Sequence, residues 1–303
     1  MNRCTPTSIT RALPAWVVLC LLAAVSAAAL LAACGGSGGG SSPTPTATVT
    51  ATSTPSASPS PTTAPTPTPS PTTTLSLYFL RGDELGVTER RVPQTTMPAT
   101  AAMKALLKGP TAAERTAGLN SAVASQARLV HLTVSGGAAT VDLSRYPTGA
   151  PTDVALGQIV YTLTRFPTIK RVRIQIDGSP LVSADVGNPA SGIFRRSDFD
   201  RLEPAIFVES PGLSAILTSP FVLRGSASVF EGSFTAALVD DSGRRIVRKQ
   251  VQASQGAPGR GVFRMTIPYT TSATAGTLIV YSVSMEDGSR QGDVRIPVTF
   301  AQD

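Results

Sequence analysis

Residues 35–74 carry no charge and consist only of Gly, Ser, Thr, Pro and Ala with the single valine Val49. A stretch of that composition cannot bury enough apolar surface to offset the entropy of ordering it. It is therefore read as a tether that divides the chain, confining folding to residues 75–303. Its Gly/Ser start is flexible and its Pro-Thr repeats stiffer, so it extends to about 120 Å, or about 35 Å as a relaxed coil. Roughly 229 residues remain downstream. That suffices for two cores of about 100 residues and is too little for an α/β barrel with its loops.

The chemistry open to those residues is narrow. All three cysteines, Cys4, Cys20 and Cys34, precede the tether, Trp16 does too, and His131 is the sole histidine. The folded part thus has no disulfide, thiol nucleophile or Cys/His zinc site, and no cofactor is expected. The formal charge is +7. Removing Arg3 and Arg11 leaves 24 basic against 19 acidic residues (26 − 2 and 19), a surplus of five carried by arginine, since only Lys104, Lys108, Lys170 and Lys249 are lysines. A mild arginine excess without a dense basic tract suits anionic envelope polymers or lipid headgroups rather than nucleic acid.

The first 33 residues combine Arg3 and Arg11 with an apolar run from Trp16 to Ala33, ending Leu31-Ala32-Ala33-Cys34-Gly35. A positive flank, an apolar stretch and small residues before a cleavage point describe a signal peptide at 1–33. Cysteine directly after Leu-Ala-Ala resembles the bacterial lipobox. That resemblance implies diacylation of Cys34, palmitate included, and a chain anchored on the extracytoplasmic face of the cell membrane. The alternative is a transmembrane helix, for which about 18 apolar residues lie at the short limit. Glycine-rich chain follows Cys34 with no charged stop-transfer flank, which favours the lipoprotein.

Residues 75–203 read as an α+β domain. Leu75–Leu80 is a β-rich start with Thr88–Val92 as partner, and 99–107 is a helix stopped by Gly109-Pro110. Thr111-Ala-Ala-Glu114 is a capping box. Gly136-Gly137 joins strands 128–134 and 138–143 as a hairpin. Thr152 caps a helix with Leu156, Ile159, Val160 and Leu163 on one face, and Val172, Ile174 and Ile176 alternate with Arg171, Arg173 and Gln175. One small sheet with helices on one face is expected. The runs Leu107-Lys-Gly-Pro-Thr111, Ala139-Thr-Val-Asp-Leu-Ser144, Gln158–Pro167 and Val172–Gly178 resemble the GerMN domain of sporulation and spore-germination proteins. The resemblance implies a non-catalytic envelope module with a capacity for self-association, and supplies no catalytic residues.

From Pro204 to 303 the pattern becomes seven short strands with frequent turns, as in an immunoglobulin-like β-sandwich. Ser210-Pro211, Ser219-Pro220, Arg224-Gly-Ser-Ala227, Val229-Phe-Glu-Gly232 and Glu286-Asp-Gly-Ser289 resemble the immunoglobulin-like domain of bacterial spore-germination proteins, which commonly follows a GerMN domain. The connector Phe194–Leu202 is expected to be a short helix capped by Ser197 that sets the angle between the domains.

The chain thus reads as a lipid-anchored, non-enzymatic binding or assembly module whose partner is an envelope protein or a cell-wall polymer. Contact residues are Arg171 and Arg173 on one strand, Arg244, Arg245 and Arg248 (with Lys249) near one hairpin, and Phe230, which either docks a partner or tucks under the sandwich. A hydrolase using His131 and a serine is one alternative and a solute-binding lipoprotein another. Asp142, Asp177, Asp240 and Asp241 lack calcium-loop spacing, so no metal is expected. Arg81-Gly82-Asp83 matches the integrin tripeptide by letters alone.

Overall fold

The computed structural model describes residues 70–144, 152–181 and 192–302. The leader, Cys34 and the tether up to residue 69 lie outside the described residues. The first strand, β1 (Thr72–Arg81), begins inside the stretch assigned to the tether: Thr72, Thr73 and Thr74 pair with Pro93, Val92 and Arg91 of β2 (Glu84–Pro93). Threonine is a good strand former, and a partner strand is something that composition alone does not reveal.

Arg81-Gly82-Asp83 belongs to the tight turn between β1 and β2, where Gly82 takes a positive φ of 63°. Two helices follow, α1 (Pro98–Leu107) and α2 (Ala112–Thr116). Proline opens α1, whose Ala102, Met103 and Leu106 are fully buried. The capping box of α2 is formed: the Thr111 side chain accepts from the Glu114 amide, and Glu114 accepts from the Thr111 amide.

The single sheet expected for this domain is in fact two. β2, β1 and the short β3 (Leu119–Asn120) form one. β4 (Leu129–Ser135), β5 (Ala138–Leu143), β6 (Arg171–Ile176) and β7 (Ser179–Pro180) form the other, with β8 (Ile193–Phe194) also pairing β6. Gly136 and Gly137, at φ 54° and 73°, make the β4–β5 hairpin turn. β5 and β6 are parallel and so need a long crossover, supplied by α3 (Asp153–Thr164), whose N-cap is Thr152.

α3 explains the split. Every residue from Ala155 to Leu163 is buried, not only Leu156, Ile159, Val160 and Leu163, because the helix packs against both β1 and β6. β1 meets β3 only at Leu80 and Arg81, leaving Tyr78 without a strand partner on that edge. Polar side chains of α3 take over: the Tyr78 amide donates to Thr162 Oγ1 (3.2 Å) and Gln158 Nε2 donates to the Tyr78 carbonyl (3.1 Å). A buried backbone group left unpaired costs about as much as a lost hydrogen bond, so these two polar residues belong in the core.

The second domain is the expected sandwich. β14 (Gly261–Ile267), β11 (Phe221–Ala227) and β9 (Ile206–Ser210) form one sheet. The other runs β10 (Ile216–Leu217), β16 (Arg290–Phe300), β15 (Ala275–Val283), β12 (Ser233–Asp240) and β13 (Arg245–Gln252). Leu223, Phe234, Leu238, Val280 and Ile296 fill the space between the sheets, and Phe234 meets Phe263 edge-on at 4.9 Å. At Gly225 an added Cβ would lie 1.9 Å from the Phe207 carbonyl oxygen, so only glycine lets β11 approach β9 there.

β9 is buried on both faces. Ile206 and Val208 enter the sandwich core, while Phe207 belongs to the core of the first domain. Leu213, just beyond β9, also joins that core, and its backbone bonds the edge of β2: Glu89 N–H to Leu213 O and Leu213 N–H to Val87 O, both 2.8 Å. Among the described residues no helix is long and apolar enough to cross a membrane.

Candidate functional site

The seam between the domains is polar as well as apolar. The connector holds two 3-10 turns, Arg196–Asp198 and Asp200–Leu202, rather than one helix, and Ser197 does not cap it; Asp198 accepts from the Arg195 amide at 2.7 Å. Arg196 reaches into the seam. Its guanidinium stacks 4.5 Å from the Tyr161 ring and 5.4 Å from that of Tyr78, forms an ion pair with Glu209, and donates to Tyr78 Oη (3.0 Å) and Thr164 Oγ1 (3.0 Å). Tyr78 O–H donates to Glu209 (2.8 Å). On the neighbouring side, Glu203 accepts from Tyr161 O–H (2.7 Å) and Ser226 O–H (2.5 Å) and pairs with Arg260 (3.2 Å). Arg81 donates to the Arg295 carbonyl (2.8 Å), so the side chain of the Arg-Gly-Asp run is used to hold the second domain.

Burial pushes the Glu209 carboxyl up, but the Arg196 charge and hydrogen bond, with the Tyr78 hydroxyl, outweigh it and hold it below the usual carboxylate range. A depressed folded-state pKa means that the unfolded chain binds more protons in acid. The stabilisation is complete above the unfolded value near 4.3 and is lost as pH falls through the folded value. Thermal unfolding of the wild type is therefore expected to drop steeply below about pH 4. Glu209→Gln is expected to start lower at neutral pH and to lose part of that acid sensitivity. Identical pH profiles for the two would refute the role of this carboxylate.

The basic residues singled out from sequence separate into different environments. Arg171 is half-buried and donates to the Gly136 carbonyl (3.1 Å), and Arg173 lies half-buried between strand neighbours Thr140 and Ile193. Arg244 is held in its own turn by Asp240 (3.1 Å), which also accepts from the Ser242 hydroxyl (2.6 Å) and the Arg244 amide (2.8 Å). Arg245 and Arg248 converge. Together with Arg290, which the sequence did not single out, they line a groove of about 270 Å³ on the outer face of β12, β13 and β15.

A bulge builds this groove. Strict alternation would put Arg245 and Arg248 on opposite faces, since they are three residues apart. The pairing slips between Leu238 and Val239: Ala237 faces Arg248, Leu238 faces Val247, and Val239 faces Arg245. The slip leaves Ile246 as the extra residue and turns Arg245 to the side of Arg248, a re-aiming that bulges commonly perform. From the other side Arg290 lies over the Tyr281 ring at 4.1 Å, and Ala237, Val239 and Ile279 complete the floor.

The turn Val229-Phe-Glu-Gly232 is divided between the interior and the surface. Val229 is buried at 5% exposure, whereas Phe230 is 61% exposed and lines a second groove of about 340 Å³ with Val283 and Met285, the latter 79% exposed. His131 is exposed on β4 opposite Asp142, whose carboxylate accepts the Gly178 amide (3.0 Å). Among the described residues no serine is hydrogen-bonded to His131, and no group of three or more His, Cys, Asp and Glu is placed to hold a metal ion.

An α+β unit fused through a shared strand to an immunoglobulin-like sandwich defines a two-domain protein with surface grooves, and comparison with known families makes this specific. Residues 76–182 match the family model Germane, described as sporulation and spore germination, and residues 205–289 match Gmad2, the immunoglobulin-like domain of bacterial spore germination. The chain carries a GerMN-type domain followed by a spore-germination immunoglobulin-like domain, as its motifs imply. Among solved structures it is similar to the tandem GerMN domains of the sporulation protein GerM from Bacillus subtilis: 16% identity, 65% of this chain, 62% of that one, TM-score 0.35. The first GerMN domain of that protein alone gives 19% identity over 41% of this chain and 98% of its own, TM-score 0.33. A candidate lipoprotein from Clostridium perfringens gives 18% identity, 44% and 93% coverage, TM-score 0.28. The search of curated proteins returns no match.

Proposed function

We propose that this chain is a lipid-anchored, extracytoplasmic lipoprotein that acts as a non-enzymatic binding or assembly module of the bacterial cell envelope. The observation that carries the reading is the succession of a GerMN-type and a germination-type immunoglobulin-like domain behind a leader ending Leu-Ala-Ala-Cys34. The seam supports it further: a two-domain body held by a strand buried on both faces and by half-buried ion pairs presents its outer faces in constant relation, as a scaffold requires.

Two acyl chains give the stable membrane hold that a single chain does not. Palmitate labelling of cells is expected to mark the wild type, and Cys34→Ala is expected to abolish both the label and recovery in the membrane fraction. A wild-type chain that takes up no label, or purified protein that turns over an envelope substrate, would overturn the reading.

A further inference from the structure

The groove built by the β12–β13 bulge has the chemistry of a phosphate site. Arg245 and Arg248 stand on one bank and Arg290 on the other, across about 14 Å of sheet, three strand spacings of about 4.8 Å. Among the described residues none of the three guanidinium groups has an ion-pair partner, and no carboxylate lines the groove. Of the acids in the flanking turns and strands, Asp240 is bonded to Arg244 and Ser242, Asp287 to Ser289 and Asp293 to Arg295, while Asp241 and Glu286 stand outside the lining. The floor of Val239, Ile279 and Tyr281 is apolar or aromatic, which weakens the competition of water for charge-assisted hydrogen bonds at the rim.

The bulge turns Arg245 to the side of Arg248, so two unpaired cations face one groove with the third, Arg290, on its far bank. A solvated arginine face does not need this arrangement; an anion does. Guanidinium offers a planar fork that matches two phosphate oxygens, and Arg290 already lies over the Tyr281 ring at the edge of the groove. We propose that Arg245, Arg248 and Arg290 form a binding groove for phosphodiester polyanions, in which successive phosphates are gripped from the two banks. The assignment rests on the extracytoplasmic reading above for its biological setting, since glycerol phosphodiesters there occur both in wall polymers and in lipid headgroups. The binding chemistry itself needs no anchor.

The test uses the purified full chain in detergent and three probes: synthetic poly(glycerol phosphate), phosphatidylglycerol vesicles, and poly-glutamate as a carboxylate polyanion. Poly(glycerol phosphate) is expected to bind with an affinity that falls as salt rises, and the triple variant Arg245→Gln/Arg248→Gln/Arg290→Gln to bind at least about tenfold more weakly. Arg128→Gln/Arg264→Gln, which removes two exposed arginines that do not line the groove, is expected to bind like the wild type. Because all three groove arginines lie on the surface, thermal unfolding of the triple variant should match the wild type and separates lost binding from lost fold. Vesicle binding that depends on the three arginines, with no polymer binding, places the phosphodiester on the membrane and upholds the groove. Equal affinity for poly-glutamate, or full retention of phosphate binding in the triple variant, overturns it. Loss of palmitate labelling alongside intact polymer binding would remove the anchor and leave the groove standing.

Discussion

Phe207→Ala is expected to cost about 3–5 kcal/mol, the range for truncating a fully buried aromatic ring, and to uncouple the two domains. Phe207 is 1% exposed and packs against Tyr78 and Tyr161 at ring distances of 6.1 and 6.0 Å. It emerges from a strand of the sandwich, yet its ring lies in the core of the first domain. The truncation therefore opens a cavity where the seam closes while leaving Ile206 and Val208 in their own core. Calorimetry should show the first domain melting roughly 10 °C lower and the sandwich nearly unchanged. A single cooperative transition at the wild-type temperature would show that the seam contributes little.

Glu114→Ala is expected to be comparably damaging, at about 3 kcal/mol, the lower end for breaking a buried pair, because it strands the largely covered Arg90 cation. The Glu114 side chain is 4% exposed and that of Arg90 17%. One carboxylate accepts from Arg90, from the Thr111 amide at 2.7 Å and from the Thr88 hydroxyl at 2.9 Å. Burial pushes this carboxyl up, and those bonds together more than reverse the effect, holding it below its usual range. Removing it leaves Arg90, which also donates to the Gly109 carbonyl at 2.9 Å, with a charge and no counter-ion. Replacing both partners by apolar side chains, Arg90→Met with Glu114→Leu, should recover much of the loss. Chemical denaturation measures both effects, and a single variant within about 1 kcal/mol of wild type would refute the account.

Local signals were legible where they depend on near neighbours in the chain. The capping box at Thr111–Glu114, the Thr152 cap, the paired glycines at 136 and 137 and the seven main strands of the sandwich all follow from short-range stereochemistry. The capping box also concealed something. Glu114 reads as a helix cap and is in addition the buried counter-ion of Arg90, 24 residues away, which no local pattern announces. The alternation of Ile206, Phe207 and Val208 likewise looks like an ordinary buried strand, and only the fold shows that its two faces serve different cores.

The candidate groove was half legible. Arg245 and Arg248 stood out as charge, but strict alternation separates them; the bulge that reunites them is a matter of pairing with β12. Arg290 lies 42 residues beyond Arg248 (290 − 248) and entered only through the β15–β16 hairpin. Arg244 was misleading for the opposite reason, since Asp240, four residues earlier, neutralises it within one turn.

The double-faced strand also bears on how such a protein is inherited. A break near residue 204 looks like a natural place to part the two halves, yet either half made alone would carry an open wound: Phe207 and Leu213 thrust into solvent on one side, Tyr78 and Tyr161 stripped of cover on the other. Recombination that parted this pair would have to mend both exposed faces as well.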